Sequence, residues 1–269
     1  MFYRSKWSPL AAVAAALLWA GSAAAGVGIP DPDVSWLFDE GEGDMVGDSI
    51  GEVHGTASGD YAWGNGTMIF DGVSAGVKFP DSPLINTTGP FMNRTVVAIF
   101  KPTDANNSET KQVVFDEGGR TRGAVIYVFD GHVYAAAWNR AEYQWAGEFP
   151  MAPVRNNQWH AAAFVIRDAI NAVEDGRFEM WADGEMVASL PGGQLFAHGD
   201  DTGVGHTNQN TVFHDDDGTG TNRDYFAGEI DEISVWNVAL LPEALMQRAT
   251  SVDPAGKLAL QWGSLKSDR

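Results

Sequence analysis

Near the end of the chain, Glu229-Ile230-Asp231-Glu232-Ile233-Ser234 places three carboxylates within four residues. Two carboxyl groups about 5–5.5 Å apart can cleave a glycosidic bond with retention, one attacking while the other protonates the leaving oxygen. Side chains alternate along a strand, so Glu229 and Asp231 share one face and Glu232 points to the other. The next place for an acid on the first face is Ile233, or Ser234 if the strand bulges, and neither can donate a proton. A second motif, Gly72-Val73-Ser74-Ala75-Gly76, has the spacing of a nucleophile elbow. That elbow needs a helix after its serine, whereas the next residues, Val77-Lys78-Phe79-Pro80, are strand-like, so the segment reads as a hairpin turn. No catalytic residue is assigned.

Two further groups of residues could bind rather than cut. His214-Asp215-Asp216-Asp217-Gly218-Thr219-Gly220 starts like a calcium loop, with Gly220 at the sixth position counted from Asp215. The twelfth position, where that loop requires Glu, is Phe226, so a solvated acidic loop is expected. The six histidines have no paired zinc spacing. For a sugar, the notable residues are Trp138, Asn139, Tyr143 and Trp145, beside the small run Ala135-Ala136-Ala137. Small neighbours can leave a large ring open to stack on a sugar face, and Tyr and Trp join a flat apolar surface to a polar edge. His206, Asn208 and Asn210 could add polar contacts from a loop. The competing reading is that these rings are core, because a chain with ten tryptophans must bury most of them.

Positioning such groups falls to the rest of the chain. Arg4 and Lys6 precede the apolar run Leu10–Ala20, and Gly21-Ser22-Ala23-Ala24-Ala25 supplies a small-residue cleavage pattern. This is expected to be a secretory signal over residues 1–25, with residues 26–32 as a linker. The apolar run falls well short of the roughly 20 residues that span a bilayer, so no membrane insertion is expected. The remaining 244 residues suit one large domain and can bury a core without staples. The chain has no cysteine, which excludes disulfides, Cys-based zinc sites and thiol nucleophiles. Its formal charge of −19 opposes nucleic acid and anionic lipid, whose phosphates need clustered Lys and Arg. Cations and uncharged glycans stay compatible with that charge.

Short alternating apolar runs broken by Gly, Asp and Asn dominate, which predicts an all-β chain. Strands are expected at 34–38, 67–70, 76–79, 95–101, 112–115, 124–129, 132–138, 159–166, 177–182, 185–190 and 229–236. Asp130-Gly131 and Asp183-Gly184 are suited to tight hairpins, since Gly accepts positive φ at little cost. One helix is expected at 242–249, opening on Pro242.

Several segments together carry a resemblance. They are Trp36-Leu37-Phe38-Asp39-Glu40-Gly41-Glu42-Gly43, then Asp48, Gly51 and His54-Gly55-Thr56, then Phe70-Asp71-Gly72 and Gln158-Trp159-His160. Phe226-Ala227-Gly228-Glu229-Ile230-Asp231-Glu232-Ile233 with Asn237-Val238-Ala239-Leu240 completes the set. In order and spacing these resemble the bacterial laminin-G-like domains of the concanavalin-A-like lectin/glucanase superfamily, over residues 33–249, leaving a C-terminal tail at 250–269. The resemblance implies a two-sheet antiparallel jelly-roll sandwich with one short C-terminal helix, whose first and last strands lie side by side. Hydrolases of that superfamily set their acids as E-x-D plus a further Glu on a mid-chain strand, whereas this strand comes last and lacks the further Glu. The resemblance also implies calcium as a structural ion, and Asp39, Asp48 and Asp231 would converge on it if the two terminal strands pair. Alternatively those carboxylates accept backbone N–H bonds and close the sandwich. The expected role is a secreted, periplasmic or cell-surface lectin-like or adhesive module that binds a glycan or other surface ligand without catalysis. A structural, protein-binding sandwich and a divergent polysaccharide-cleaving enzyme are the alternatives.

Overall fold

The computed structural model describes residues 28–218 and 220–250. The expected leader over residues 1–25 and the tail beyond residue 250 lie outside them. In chain order the elements are β1 (Val34–Trp36), β2 (Met45–Val46), β3 (Gly55–Ser58), β4 (Ala62–Trp63), β5 (Met68–Asp71) and β6 (Gly76–Phe79). Next come β7 (Arg94–Pro102), β8 (Gln112–Gly118), β9 (Arg122–Phe129), β10 (His132–Asn139) and β11 (Met151–Pro153). The chain continues with β12 (His160–Ile166), β13 (Glu174–Ala182), β14 (Glu185–Gly192), β15 (Thr202–Val204), β16 (Ala227–Trp236) and α1 (Pro242–Thr250). Among the described residues no helix is long and apolar enough to cross a membrane.

The strands form two antiparallel sheets of eight. One runs β14-β13-β12-β7-β16-β5-β4 with β1 beside β16, and the other runs β11-β10-β9-β8-β15-β6-β3-β2. This is the expected jelly-roll class, and its first and last strands pair in register from Val34↔Val235 to Trp36↔Ile233. Both Asp-Gly hairpins are present, with φ of 46° and 76° at Asp130-Gly131 and 49° and 84° at Asp183-Gly184, the two successive positive φ of a type I′ turn. The first strand stops two residues early, because Phe38 takes a positive φ of 49° and turns its ring into the core. Strands β2, β3, β4, β11 and β15 were not expected; at two to four residues they are too short to show an alternation.

Between the sheets lies one apolar core. Trp36 stacks on Phe79 at 3.7 Å, and Phe226 meets Phe70 and Phe100 edge-on at 6.2 and 6.0 Å. The turn after β5 is held by Asp71, whose carboxylate accepts N–H groups from Val73, Ser74 and Ala75 at 2.8–2.9 Å. Slight burial pushes this carboxyl up, but those three N–H donors and the Ser74 hydroxyl outweigh it and hold the pKa at about 2. Ser74 is thereby committed to the turn, and the residue run after it is β6, so no nucleophile elbow forms.

Part of each sheet's outer face is also covered. α1 and the turn before it lie over the first sheet, packing Leu240, Ala244 and Leu245 on Val97, Ile99, Trp181 and Trp236. The loop between β15 and β16 lies over the second, packing Val212 and Phe213 on Val113, Tyr127, Tyr134 and Trp138. Beneath α1, the fully buried Glu232 is ion-paired with Arg248. Removing one partner of a buried pair strands the other charge in low dielectric, at about 3–5 kcal/mol. Arg248→Ala is therefore expected to lower stability by about that amount in urea unfolding, while Arg248→Met with Glu232→Leu recovers most of the loss. A loss below about 1 kcal/mol in Arg248→Ala would show that the pair does not anchor the helix.

Candidate functional site

The residues expected to stack on a sugar do not form an open platform. Trp138 is fully buried under Val212 and Phe213, and its indole N–H donates to the Gly119 carbonyl at 2.9 Å. Trp145 belongs to the intersheet core, edge-on to Phe178. Asn139 is fully buried; its amide donates to Gln194 O at 3.0 Å and accepts the Glu142 N–H at 3.1 Å. His206 is buried so tightly that a Cβ on Gly76 would lie 2.0 Å from its ring. Asn208 is buried with its N–H on Asp116 at 2.9 Å and its side-chain amide on the Asp201 carbonyl. Of these six, only Tyr143 reaches solvent, with its hydroxyl on Gln194 Oε1 at 2.8 Å. The alanine run explains the correction. Ala135 and Ala137 face the intersheet core while Ala136 lies beneath the loop, so the small residues make room for packed neighbours instead of a ligand.

The three candidate metal ligands are not brought together. Among the described residues, no three His, Cys, Asp or Glu side chains are grouped to hold a metal ion. Asp48 instead accepts the N–H groups of Ser35, Ile50 and Val53 at 3.1–3.2 Å, tying the loop after β2 to β1. Asp231 acts electrostatically on Arg248, and Asp39 has interactions of its own. Asp48→Ala is expected to cost about 1–3 kcal/mol, the desolvation penalty of stranded buried donors, and equally so in calcium and in chelator. A loss that appears only in calcium would restore Asp48 as a ligand; thermal melts in both buffers decide it.

The acidic strand departs from simple alternation. Its register shifts between Ile230, opposite Phe100, and Glu232, opposite Ile99, so Asp231 is the extra residue of a β-bulge. Glu229 is opposite Lys101 and Glu232 opposite Ile99, two positions apart on β7, so both glutamates share the outer face that alternation would have split. The bulge does not make them an acid pair. Glu229 is bound to Lys101 at 2.6 Å and to the Thr67 hydroxyl, while Glu232 is buried on Arg248 beneath α1.

An open polar cleft among the described residues lies elsewhere, at the end of the second sheet. A cleft of about 360 Å³ is lined by Gly119, Arg120, Thr121, Arg122, His198, Asp200, Gln209 and Asn210. Its first wall is the β8–β9 turn, closed by Gly119 N–H on Arg122 O at 2.7 Å. Gly118 takes φ of +98° there, and a Cβ on Gly123 would strike Glu117 O at 2.6 Å, so this turn requires glycine at both ends. Arg122 forms a two-pronged ion pair with Glu142 and also donates to Ala197 O at 3.3 Å. Arg120 donates to the Asp216 carbonyl at 3.2 Å.

The floor is held by a buried charge chain that crosses the sandwich. His198 Nε2 meets Glu117 of β8 at 2.9 Å, and Glu117 lies 3.7 Å from the guanidinium of Arg94 on β7 in the opposite sheet. Burial drives Arg94 down to about 10 against the pull of Glu117. Burial alone would raise the Glu117 pKa, but His198 and Arg94 outweigh it and keep the carboxyl ionised. Burial also disfavours the His198 cation, yet Glu117 outweighs it, leaving the imidazole more basic than usual. Its Nδ1 is buried without a hydrogen-bond partner, 3.9 Å from Asp200.

Next to Glu117, and pointing to the outer face, fully buried Asp116 supports the second wall from below. It accepts the Asn208 N–H at 2.9 Å, and burial raises its carboxyl to about 7 despite contacts from Asn208, Thr211 and Gln209. A carboxyl whose folded pKa exceeds its unfolded value of about 3.8 binds its proton more tightly when folded. It therefore removes stability as pH rises from about 4 to about 7. Asp116→Asn keeps the acceptor and abolishes the charge. The variant is expected to gain melting temperature relative to wild type at pH 8 and to differ far less near pH 4; an equal difference at both would refute the titration.

Residues 71–245 match a laminin G family model described as the concanavalin A-like lectin/glucanases superfamily. No curated protein matches the sequence. Among solved structures, domain 4 of AbnA, a GH43 extracellular arabinanase from Geobacillus stearothermophilus solved with arabinotriose, aligns with TM-score 0.56 and 17% identity, over 80% of this chain and 97% of that one. The binding domain of botulinum neurotoxin serotype G aligns with TM-score 0.59 and 9% identity, over 82% of this chain and 51% of that one. The binding domain of botulinum neurotoxin DC in complex with SialylT gives TM-score 0.58 and 8% identity, again over 82% and 51%.

Proposed function

Because this chain belongs to the concanavalin A-like lectin/glucanases superfamily, we propose that it is an exported carbohydrate-binding module that holds its ligand in the cleft at the β8–β9 turn and does not cleave it. The observation carrying this reading is the cleft itself. It offers amide, carboxylate and guanidinium groups, while the central strands on the outer face of each sheet lie under the chain's own α1 or loop. Gln209 and Asn210 supply donors and acceptors of the kind sugar hydroxyls need, and Asp200 supplies an acceptor. Support for a sugar comes from the arabinanase domain bound to arabinotriose, on the same fold. Support for export comes from the basic-apolar-small order of residues 1–25. The absence of cleavage is inferred from Glu229 and Glu232, which are each engaged by a basic side chain, so that neither is free to protonate a leaving group.

Glycan-array screening of the purified chain, followed by calorimetry on the best ligand, tests the proposal. Asn210 is exposed and Gln209 half-exposed, so Gln209→Ala with Asn210→Ala should leave the melting temperature unchanged. Two polar contacts of about 0.5–1.5 kcal/mol each predict roughly a fivefold or greater loss of affinity. Unaltered affinity in the double variant would move the site away from this cleft, and ligand hydrolysis abolished by Glu229→Gln would overturn the non-catalytic reading.

A further inference from the structure

The chain carries 36 acidic against 17 basic residues, so an average stretch of its surface is negative. The cleft walls reverse that balance. They present Arg120, Arg122 and His198 against the single carboxylate of Asp200. The acids that pair with the two arginines, Glu142 and Asp216, are not among the residues lining the cleft. Arg140 adds a third guanidinium nearby, bound to the same Asp216 at 2.7 Å.

Resting on the reading of the cleft as a sugar site, we propose that its occupant is an oxyanion-bearing glycan, a saccharide with carboxylate or sulfate groups. A guanidinium presents a planar fork of N–H donors that fits a carboxylate or sulfate and adds geometric specificity to charge. Arg122 is fixed in orientation by its double contact with Glu142, so little side-chain freedom is lost when a ligand arrives. Arg120 is about half-exposed and holds its one carbonyl contact through a single terminal nitrogen, leaving its remaining donors for an incoming oxygen. The floor contributes the third charge. His198 faces Glu117 of β8, Asp200 of its own segment and, beyond Glu117, Arg94 of β7. Burial disfavours the imidazolium, but Glu117, the nearest of these, outweighs it and favours the charged form, so the imidazole at the base of the cleft is more basic than an ordinary histidine. Below the raised pKa of His198 the cleft has three cationic side chains; above it, two. Affinity for an anionic sugar thus falls as pH rises through that value, while affinity for a neutral sugar does not follow the same trend.

The test is calorimetric titration of the full chain with three size-matched oligosaccharides: an oligogalacturonate, a sulfated galactan fragment and a neutral arabinan. Each is measured near pH 6 and pH 8.5, with wild type and with Arg120→Gln. The expected result is at least tenfold tighter binding of one anionic ligand over arabinan, shrinking at pH 8.5. Arg120→Gln should weaken the anionic ligand at least fivefold more than the neutral one, with an unchanged melting temperature confirming the fold. Preference for the galacturonate identifies carboxylate as the recognised group, and preference for the galactan identifies sulfate. Equal binding of neutral and anionic sugars, lost on Gln209→Ala with Asn210→Ala, overturns the oxyanion and leaves the sugar cleft standing. No binding of any of the three overturns the oxyanion proposal, and a glycan array that is also blank removes the sugar reading itself.

Discussion

Arg94 is the point on which much of this sandwich hangs. A guanidinium fully inside a protein must satisfy its donors and its charge, or the cost exceeds what the fold can bear. Here it donates to the carbonyls of Ile85 and Leu84 and to Asn237, covers the ring of Phe91 at 3.7 Å, and faces Glu117 across the intersheet gap. Those contacts tie together the segment before β7, the segment after β16 and the end of β8. His198 extends the chain to the cleft. The same charges that fix the packing of the two sheets therefore set the electrostatics of the site, so core and site cannot be altered independently.

The partial covering of both outer faces comes from residue chemistry. Val113, Val125, Tyr127, Tyr134 and Ala136 would form an apolar outer face of the second sheet if left bare. Val212 and Phe213 close it, and His214 lies on Tyr134 with ring centroids 4.8 Å apart while its Nδ1 meets the Tyr127 hydroxyl. On the first sheet, Trp181 and Trp236 play the part of the tyrosines, and α1 that of the loop. The cleft lies instead at the ends of strands, beside the β8–β9 turn. That is where turns gather short polar side chains without exposing core.

The fold was legible because its signals are local and repeated. Alternating runs such as Ala124–Phe129 and the Asp-Gly dipeptides report strands and hairpins residue by residue, and the pairing of the terminal strands followed from the motifs at both ends. The site was less legible, for two physical reasons. Burial of a tryptophan depends on what a distant segment places over it, and nothing near Trp138 announces Phe213. The bulge at Asp231 is set by pairing with β7, so it reverses the facing of Glu232 without any glycine or proline to mark it. By contrast, Gly118, Gly119 and Gly123 around Arg120 and Arg122 were a readable sign of a tight, basic turn. Asn210 was readable as a polar loop contact, but its place beside this turn was hidden because it, His198 and Asp200 join the turn from about eighty to ninety residues away.

The two glutamates of the last strand show why motif and geometry must be read together. By spacing alone Glu232 points away from Glu229; by register the bulge turns it back, and the pair stands on one face as a hydrolase would require. What keeps that geometry from being an acid pair is the helix. Arg248 occupies Glu232 and α1 covers it, while Lys101, itself 5.1 Å from the Trp159 ring, occupies Glu229. A general acid must be protonated at working pH and reachable by a leaving oxygen. Glu232, buried beneath α1 and ion-paired with Arg248, fails the second condition, since the helix excludes the substrate. Glu232, which stands on the same face as Glu229, thus serves as part of the attachment of α1.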